Sequence, residues 1–397
     1  MVKEMKINVI KDREQKKALK SWIKQKFVGS VIAATGFGKS RVGVIAVGET
    51  LRKSKNSKGL VLVPTIALRD QFEKEFVKWG YTDVLESVEF ICYQSAYKLT
   101  NNHYNVIVCD EIHLGLSVEY RKFFENNTYN RLLCMTATPP EDPTYRAMLQ
   151  ALAPIVYNIT LDECVDLELV APYEIYCIPV ELTKQERIDY AKCNKQFVYY
   201  KYCLGDFNAF DEANRILASK TSTQEQRRNA VLFYQAIRNR KAVVDFASNK
   251  IKVLKQIALQ NINKKILTFS GANAFTDAIC EALDPLACKY HSKVTLKNRR
   301  KALEDFKEGN LNILCSTKAL NQGVDIPEAE VGIICGLTSK SLTMIQRVGR
   351  LVRFKEDKIG KVIVLYVANS QEEKWLKNSI KNLKNLQWIK NVNQLNW

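Results

Sequence analysis

The feature that most constrains the fold is an apolar stretch that runs into a glycine-containing loop ending in Gly-Lys-Ser, over residues 31–40. A strand followed by such a loop and a helix is typical of phosphate-binding loops. Gly36 and Gly38 would let the backbone turn its N–H groups towards an anion, and the following helix would add its positive end. We expect Lys39 to contact the β- and γ-phosphates and Ser40 to hold Mg²⁺. The loop lacks the first glycine of the strict pattern, so an ordinary strand-turn-helix remains the alternative.

The length and charge of the chain narrow the class of protein. Its 397 residues are enough for two or three domains, each with its own core. The formal net charge of +18 favours a polyanionic partner. We expect nucleic acid, although an anionic membrane surface or simple solubility would also account for the charge. There is no apolar run near the roughly 18 residues of a membrane span and no secretory signal, so we expect no membrane association.

The eleven cysteines are scattered and never form Cys-x-x-Cys. Several fall inside apolar, strand-like runs, where a reduced thiol behaves as a small core residue. We therefore expect neither disulfides nor zinc, and a reducing, intracellular compartment such as the cytoplasm, the nucleoid or the nucleus.

Short apolar runs alternate with amphipathic stretches in two parts of the chain. Runs that are apolar on both faces and separated by helices indicate a parallel sheet covered on both sides. The predicted strands are 28–34, 60–64, 88–93, 105–110 and 131–136 in the first part, and 265–269, 312–316, 331–335 and 361–366 in the second. Residues 183–260 predict several helices, and residues 375–390 predict a basic helix. The fold class is therefore α/β, with two parallel-sheet domains and a helical insertion between them.

An acidic pair, Asp110 and Glu111, follows one of these strands at its carboxyl end, where ligands bind in such sheets. An apolar strand that ends in Asp-Glu is by itself often only a solvated strand end. After a phosphate-binding loop, the pair indicates that Asp110 holds Mg²⁺ and that Glu111 orients and deprotonates the attacking water. The loop and the acidic pair together predict hydrolysis of a nucleoside triphosphate.

Further segments are candidates for the same site. Residues 136–138, Thr-Ala-Thr, end a strand, and their hydroxyls could link the acidic pair to another domain, although a plain strand end before two prolines is the alternative. Two segments in the second part of the chain, residues 319–327 and 346–353, are also candidates for this site. Arg350 and Arg353 lie three apart, so both guanidiniums can reach a transferring γ-phosphoryl group.

Together these segments resemble the motifs of superfamily 2 helicases and translocases of the DExH kind, in the family's order. The matching segments are 33–40, 63–65 with Gln71, 110–113, 136–138, 267–270, 317–327 and 346–353. Alanine at position 33 is usual in this family. Within it, the chain looks most like the branch that contains the XPB and UvsW DNA helicases, on residues 63–68, 93–96, 181–186 and 249–250.

The resemblance implies two RecA-like domains in tandem, with ATP and Mg²⁺ between them. Residues 1–165 would form the first domain, 166–258 a linker and thumb-like helical insertion, and 259–397 the second domain with a basic C-terminal helix. The implied catalytic residues are Lys39, Asp110, Glu111, Gln346, Arg350 and Arg353. The implied nucleotide-binding residues are Gln15, Thr35, Gly36, Gly38, Lys39, Ser40 and Asp325, with Ser40 and Asp110 holding Mg²⁺. The implied coupling residues are His113, Thr136 and Thr138, and the implied contacts to the nucleic-acid backbone are Thr65, Ser95, Ser270 and Thr317.

Two further regions of the chain bear on its function. Residues 196–210 interleave aromatic side chains with lysine. Such a cluster can stack on exposed bases or wedge a duplex open, but it is more often the core of a small helical subdomain. Only residues 1–30 precede the phosphate loop, so we expect the extra N-terminal domain of the relatives to be missing, which puts recognition of particular damaged or branched structures in doubt.

The function we predict is that of a monomeric, ATP-dependent DNA helicase or translocase that acts on single-stranded, duplex or branched DNA. An RNA helicase is one alternative, because a motor of this kind grips the nucleic-acid backbone similarly in both cases. A non-catalytic nucleic-acid-binding protein with a degenerate ATPase fold is another. Roles in replication, recombination, repair, phage biology or defence all remain open.

Overall fold

The computed structural model describes residues 2–53, 56–317, 329–338, 344, 347–349, 359–381 and 383–397, with the side chains described from residue 8 onwards. Several predicted site residues lie outside this set: Asp325, Gln346, Arg350 and Arg353.

The first sheet is parallel throughout and has the strand order β3-β2-β5-β7-β1-β8 among the described residues. Its central strands are buried on both faces because they consist almost entirely of apolar side chains. The sequence predicted all but β8, within one residue at most ends. The strands are β1 (Val28–Ala33), β2 (Gly59–Val63), β3 (Val88–Cys92), β5 (Val106–Cys109), β7 (Leu132–Thr136) and β8 (Ile155–Ile159), with a separate pair of β4 (His103–Tyr104) and β6 (Thr128–Tyr129).

Helices connect these strands and cover the sheet on both faces. They are α1 (Val2–Lys24), α2 (Lys39–Leu51), α3 (Ile66–Lys78), α4 (Tyr93–Ala96), α5 (Ile112–Gly115), α6 (Lys122–Asn126), α7 (Pro143–Leu152) and α8 (Leu161–Asp166). Since all strands of the sheet are parallel, the carboxyl ends of β1, β5 and β7 meet at one edge. The phosphate loop, the acidic pair and the Thr-Ala-Thr segment therefore lie at the same edge.

The second sheet is also parallel, with the order β11-β12-β10-β13-β14-β9-β15 among the described residues. Its strands are β9 (Tyr173–Val180), β10 (Ile266–Phe269), β11 (Ala287–Tyr290), β12 (Ile313–Ser316), β13 (Val331–Ile334), β14 (Gly360–Val367) and β15 (Leu386–Trp388). Two parallel-sheet α/β units in tandem are the RecA-like arrangement that we predicted.

One strand of this sheet comes from the segment that the sequence analysis assigned to the linker and insertion. β9 pairs with β14 over its whole length and with β15 on its other side. It belongs there because its residues are apolar on both faces, as a central strand of a parallel sheet requires. The second sheet therefore begins before the helical insertion and not after it.

The predicted helical insertion is present. Its helices are α9 (Lys184–Cys203), α10 (Ala209–Ala218) and α11 (Gln224–Asp245), followed by α12 (Ser248–Gln260), which packs against the second sheet. The remaining described helices are α13 (Asn273–Ala282), α14 (Leu296–Glu308) and α15 (Gln371–Ser379).

The basic C-terminal helix predicted over residues 375–390 is wrong beyond Ser379. After α15 the chain turns at Asn385, whose φ of 57° lies in the left-handed region, and then enters β15. The Trp388 ring at the end of β15 packs edge-on against Tyr366 of β14. This packing of an apolar side chain on the sheet explains why a strand replaces the helix.

Buried apolar side chains form a cluster that extends from the first sheet into the second, with further clusters on the outer faces of both sheets. All eleven cysteines lie within the described residues, where they are free thiols. No helix among the described residues is long and apolar enough to cross a membrane.

Candidate nucleotide site

The loop between β1 and α2 has the backbone geometry of a phosphate-binding loop. Gly36 and Gly38 have φ values of 94° and 90°, in the left-handed region that glycine adopts without strain. Gly38 is the N-cap of α2, and no side chain caps that end of the helix. The Nζ of Lys39 donates a hydrogen bond to the carbonyl of Ala33 (2.7 Å), which keeps the ammonium group at the loop. The N–H groups of a helix N-terminus and an ammonium group beside it are groups that can bind an anion.

Gln15 is attached to this loop. Its Nε2 donates to the carbonyl of Phe37 (2.8 Å), and its Oε1 accepts from Nη1 of Arg41 (2.8 Å). The family resemblance implied that Gln15 binds the nucleotide. In the structure the amide connects α1 to the loop and to α2, and nucleotide binding by Gln15 stays a prediction.

Arg41 is a residue of this site that the sequence analysis missed. Its guanidinium donates to Gln15 and also to Oδ1 of Asp12 (2.8 Å), and it lies 4.3 Å from the centre of the Trp79 ring. These contacts join α1, α2 and α3 next to the phosphate loop. The available signal was its position directly after Ser40 in α2, where the side chain must lie near the loop.

The acidic pair lies at the end of β5. The hydroxyl of Tyr93 donates to the backbone carbonyl of Asp110 (2.9 Å), and Glu111 has a φ of 49°, in the left-handed region that few non-glycine residues adopt. Such backbone strain is common at functional sites, where the surrounding structure holds it. Here the ring of Tyr93 is fully buried and helps to hold the turn that aims both carboxylates.

The two carboxylates have different electrostatic environments. Burial and the neighbouring charge of Glu111 raise the pKa of Asp110 to about 7, against the opposing effect of Lys39. Burial also acts to raise the pKa of Glu111, but a hydrogen bond from His113 and the charge of Lys39 outweigh it, so the pKa of Glu111 is lowered. Glu111 is therefore the carboxylate that is held ionised, as a group that accepts a proton from water must be.

The predicted coupling residues His113 and Thr136 contact Glu111. The hydroxyl of Thr136 donates to Oε2 of Glu111 (3.2 Å), and Nδ1 of His113 lies 3.4 Å from the same oxygen and 3.2 Å from the hydroxyl. These contacts connect the end of β5 with the end of β7. Thr138 lies two residues beyond β7 and is partly buried.

The second domain reaches this site through the helical residues 347–349. A Cβ atom added to Gly349 would lie 2.8 Å from Cβ of Thr35 in the phosphate loop, so the two backbones approach closely. The neighbouring Arg347 is buried, and its Nη1 donates to the carbonyl of Gly336 after β13 (2.6 Å). Asp325, Gln346, Arg350 and Arg353, the candidates of this domain, lie outside the described residues.

The predicted nucleic-acid contacts divide into two kinds. Thr65, the N-cap of α3, is partly buried and Ser95 is exposed, so both can meet a ligand. Ser270 is fully buried and its hydroxyl bonds to Ala272 and Thr276, so the structure contradicts a contact through this side chain. Thr317 is 6% exposed and donates to the side chain of Asn273 (3.1 Å), so its hydroxyl is also committed within the domain.

Two family models match this chain, one in its first half and one in its second half. The family model for the res subunit of type III restriction enzymes matches residues 9–141, and the model for the helicase conserved C-terminal domain matches residues 249–355. The chain belongs to the superfamily 2 helicases.

Relatives that match most of this chain include proteins of the XPB branch of the superfamily. It is 25% identical over 356 residues to the DNA 3′-5′ translocase XPB2 of Sulfurisphaera tokodaii, covering 86% of this chain and 78% of that protein. It is 22% identical over 365 residues to the DNA 3′-5′ helicase XPB of Mycobacterium tuberculosis, covering 86% and 57%. It is also 23% identical over 400 residues to putative helicase 22 of a Sulfolobus islandicus filamentous virus, covering 92% and 65%.

The fold of this helicase has a counterpart among solved structures. The helicase domain of Hef from Pyrococcus furiosus superposes with a TM-score of 0.55 at 16% identity, covering 91% of this chain and 96% of that one. This likeness supports the tandem RecA-like fold.

Proposed function

We propose that this helicase is an ATP-driven DNA translocase whose nucleotide lies between the two sheets, so that each cycle of hydrolysis changes their relative position. The observation that carries the proposal is the approach of Gly349 to Thr35. It joins the helix that leads into the predicted arginines to the phosphate loop itself. A nucleotide in that loop would therefore be in reach of both domains.

The chemistry of the site fits ATP with Mg²⁺. A hydroxyl from Ser40 and a carboxylate from Asp110 are the hard oxygen ligands that Mg²⁺ prefers. Asp110 is a buried carboxyl with a raised pKa, and a divalent cation would stabilise its ionised form. When bound, Mg²⁺ would neutralise phosphate charge during transfer.

The residues of this chain would divide the work of hydrolysis. Lys39 and the backbone of the phosphate loop bind the phosphates, and Glu111 orients the attacking water and takes its proton. Arg350 and Arg353 reach the γ-phosphoryl group from the second domain, a role that contributes about 10³–10⁵-fold in related enzymes. Thr136 and His113, both in contact with Glu111, transmit the state of the nucleotide to the domain interface.

DNA is the substrate that we propose, in keeping with the names of the XPB relatives, a DNA translocase and a DNA helicase. The net charge of +18 suits contacts to a phosphate backbone, which carry no base information and so suit a motor that moves along any sequence. RNA is the second candidate. Matches to RNA helicases are shorter, for example 33% identity over 95 residues, 23% of this chain, to the rRNA helicase RRP3 of Scheffersomyces stipitis.

ATP hydrolysis measured with single-stranded DNA, duplex DNA, forked DNA and RNA tests this function. We expect DNA to stimulate hydrolysis more than RNA of the same length, and Lys39→Ala to abolish it because the phosphates lose their lysine. Lys53→Ala, a change of one lysine after the end of α2, is the control that keeps activity. Hydrolysis that responds to no nucleic acid would overturn the proposal, and stronger stimulation by RNA would favour the second candidate.

A further inference from the structure

The helical insertion forms a small subdomain with its own core. α9 and α11 pack as an antiparallel pair, with Phe197 stacked on Phe233 at 5.7 Å between ring centres. α10 and the connecting turns close the end of this pair. Part of the aromatic cluster that the sequence singled out is therefore structural.

Three other aromatic side chains at this end are not part of the core. Tyr199 is 61% exposed, Tyr202 79% and Phe207 96%. An aromatic ring exposed to water does not contribute the favourable free energy of its burial. Several exposed rings on one small subdomain therefore indicate a binding surface. We call this group, Tyr199, Tyr202 and Phe207, the aromatic tip.

The aromatic tip is held in place by the backbone. Phe207 lies in a short 3-10 turn, Asp206–Asn208, that follows Gly205 in the left-handed region (φ 86°). Asp206 pairs with Lys201 of α9 at 2.6 Å, which fastens this turn to the helix. The rings of Tyr199 and Tyr200 meet edge-on at 5.1 Å. The rings are thus presented by fixed elements and need little ordering on binding.

The charge of the subdomain indicates the class of partner. Residues 184–245 contain twelve lysine and arginine residues against seven aspartate and glutamate residues. Lys220, Arg227 and Arg228 are exposed where α11 begins, at the end of the subdomain that carries the aromatic tip. Arg228 and Lys220 are in position to contact phosphates, while Arg227 also donates to the backbone carbonyl of Ser219.

We infer that the aromatic tip binds unpaired DNA, with bases stacked on its rings and phosphates held by the adjacent basic side chains. Unpaired bases are the partner because they offer open faces to aromatic rings, whereas the bases of a duplex are already stacked on one another. The inference rests on the proposed function, since it adds a second DNA contact to that of the motor. It places this contact on the insertion, away from the nucleotide site.

Removing two rings tests the inference. Fluorescence anisotropy of a labelled oligothymidine and of a blunt duplex of the same length is measured for Tyr202→Ala/Phe207→Ala at one salt concentration. We expect affinity for the single strand to fall about tenfold for each ring removed, because stacking contributes in this range for each base, while affinity for the duplex stays within about twofold. Val231→Ala, which changes an exposed apolar side chain on α11 of the same subdomain, should alter neither.

Two further variants separate stacking from other effects. Phe207→Trp keeps an aromatic face and should retain single-strand affinity, whereas Phe207→Leu keeps an apolar side chain without that face and should lose it. Because Phe207 is almost fully exposed, both should melt as the wild type does.

The inference is overturned if the double variant loses affinity equally for single strand and duplex, or loses affinity for neither. It is also overturned if the wild type self-associates and the double variant does not. DNA-stimulated hydrolysis by the wild type, measured beside these assays, tests the proposed function separately. If DNA stimulates hydrolysis by the wild type but the variants bind single strands normally, the inference about the aromatic tip is refuted and the proposed function stands.

Discussion

At the scale of single residues, Gly38 satisfies two constraints at once. Its φ of 90° is costly for any other residue, and a Cβ atom there would lie 2.5 Å from Nε2 of Gln15. The same position thus shapes the phosphate loop and leaves room for the amide that fastens α1 to it. The loop and the N-terminal helix depend on each other at this residue.

Gly38→Ala should therefore abolish nucleotide binding. The backbone strain alone costs about 1–3 kcal/mol, and the added Cβ would also push the Gln15 amide away from the loop. Nucleotide affinity from fluorescence titration and the melting temperature are the measurements.

Gly80→Ala is the matched control, because Gly80 also has a positive φ, 74°, but no atom lies within 4 Å of an added Cβ. It should lower the melting temperature and leave nucleotide affinity unchanged. Equal nucleotide affinity in Gly38→Ala and the wild type would contradict the role assigned to this residue.

The sequence predicted which residues form the candidate nucleotide site, but it did not always predict which groups their side chains contact. The glycine pattern and the apolar strands before Lys39 and Asp110 predicted where the first domain holds its charged groups. The sequence could not predict that the amide of Gln15 forms hydrogen bonds with Phe37 and Arg41, because these contacts depend on how α1 packs. Nor could it tell that Ser270 is buried, because a hydroxyl at a strand end can face either way.

At the scale of elements, a buried ion pair connects two helices that lie far apart in sequence. Lys250 of α12 and Glu372 of α15 have no exposed surface, and Nζ of Lys250 lies 2.8 Å from both Glu372 oxygens and from the carbonyl of Cys335. Removing one member would leave a buried charge without its partner. The pair therefore fixes the first helix after the insertion to the last helix of the second domain.

Lys250→Met should lower the free energy of unfolding by about 3–5 kcal/mol, the usual cost of breaking a buried pair from one side. The double variant Lys250→Met/Glu372→Leu should recover much of this loss, because neither charge is then buried. Urea denaturation of the two variants measures the difference. A double variant less stable than the single one would show that the pair is not the source of the effect.

Some strands of the second domain could not be predicted from the periodicity of apolar residues in the sequence. β9, β11 and β15 were not predicted, because β9 lies next to a helical stretch and the other two are short and include polar residues. The lysines after Trp375 fit a helix, but asparagine favours turns and left-handed backbone, so Asn385 was a signal of the turn that the prediction missed. The other four strands of this sheet, β10, β12, β13 and β14, and several helices over residues 183–260 were predicted, since their apolar runs and helical patterns are clear in the sequence.

At the scale of the whole molecule, the two domains meet where Gly349 faces Thr35. Gly349→Ala would push the helix of the second domain away from the phosphate loop, because the added atom lies 2.8 Å from Thr35. We expect DNA-stimulated turnover to fall about 10–100-fold, as small displacements of catalytic groups do, while nucleotide affinity changes little. Steady-state kinetics and nucleotide titration check this, and unchanged turnover would contradict it.

Strand β9 has a consequence for how the protein is made. It lies between β14 and β15, yet it leaves the ribosome before the insertion helices and long before either neighbour. The newly made chain must therefore carry an apolar strand without partners until β14 has been made. The first domain can fold earlier, because its strands all precede β9. The two halves of the nucleotide site thus mature one after the other during synthesis, and the second sheet is completed only after β14 and β15 have been made.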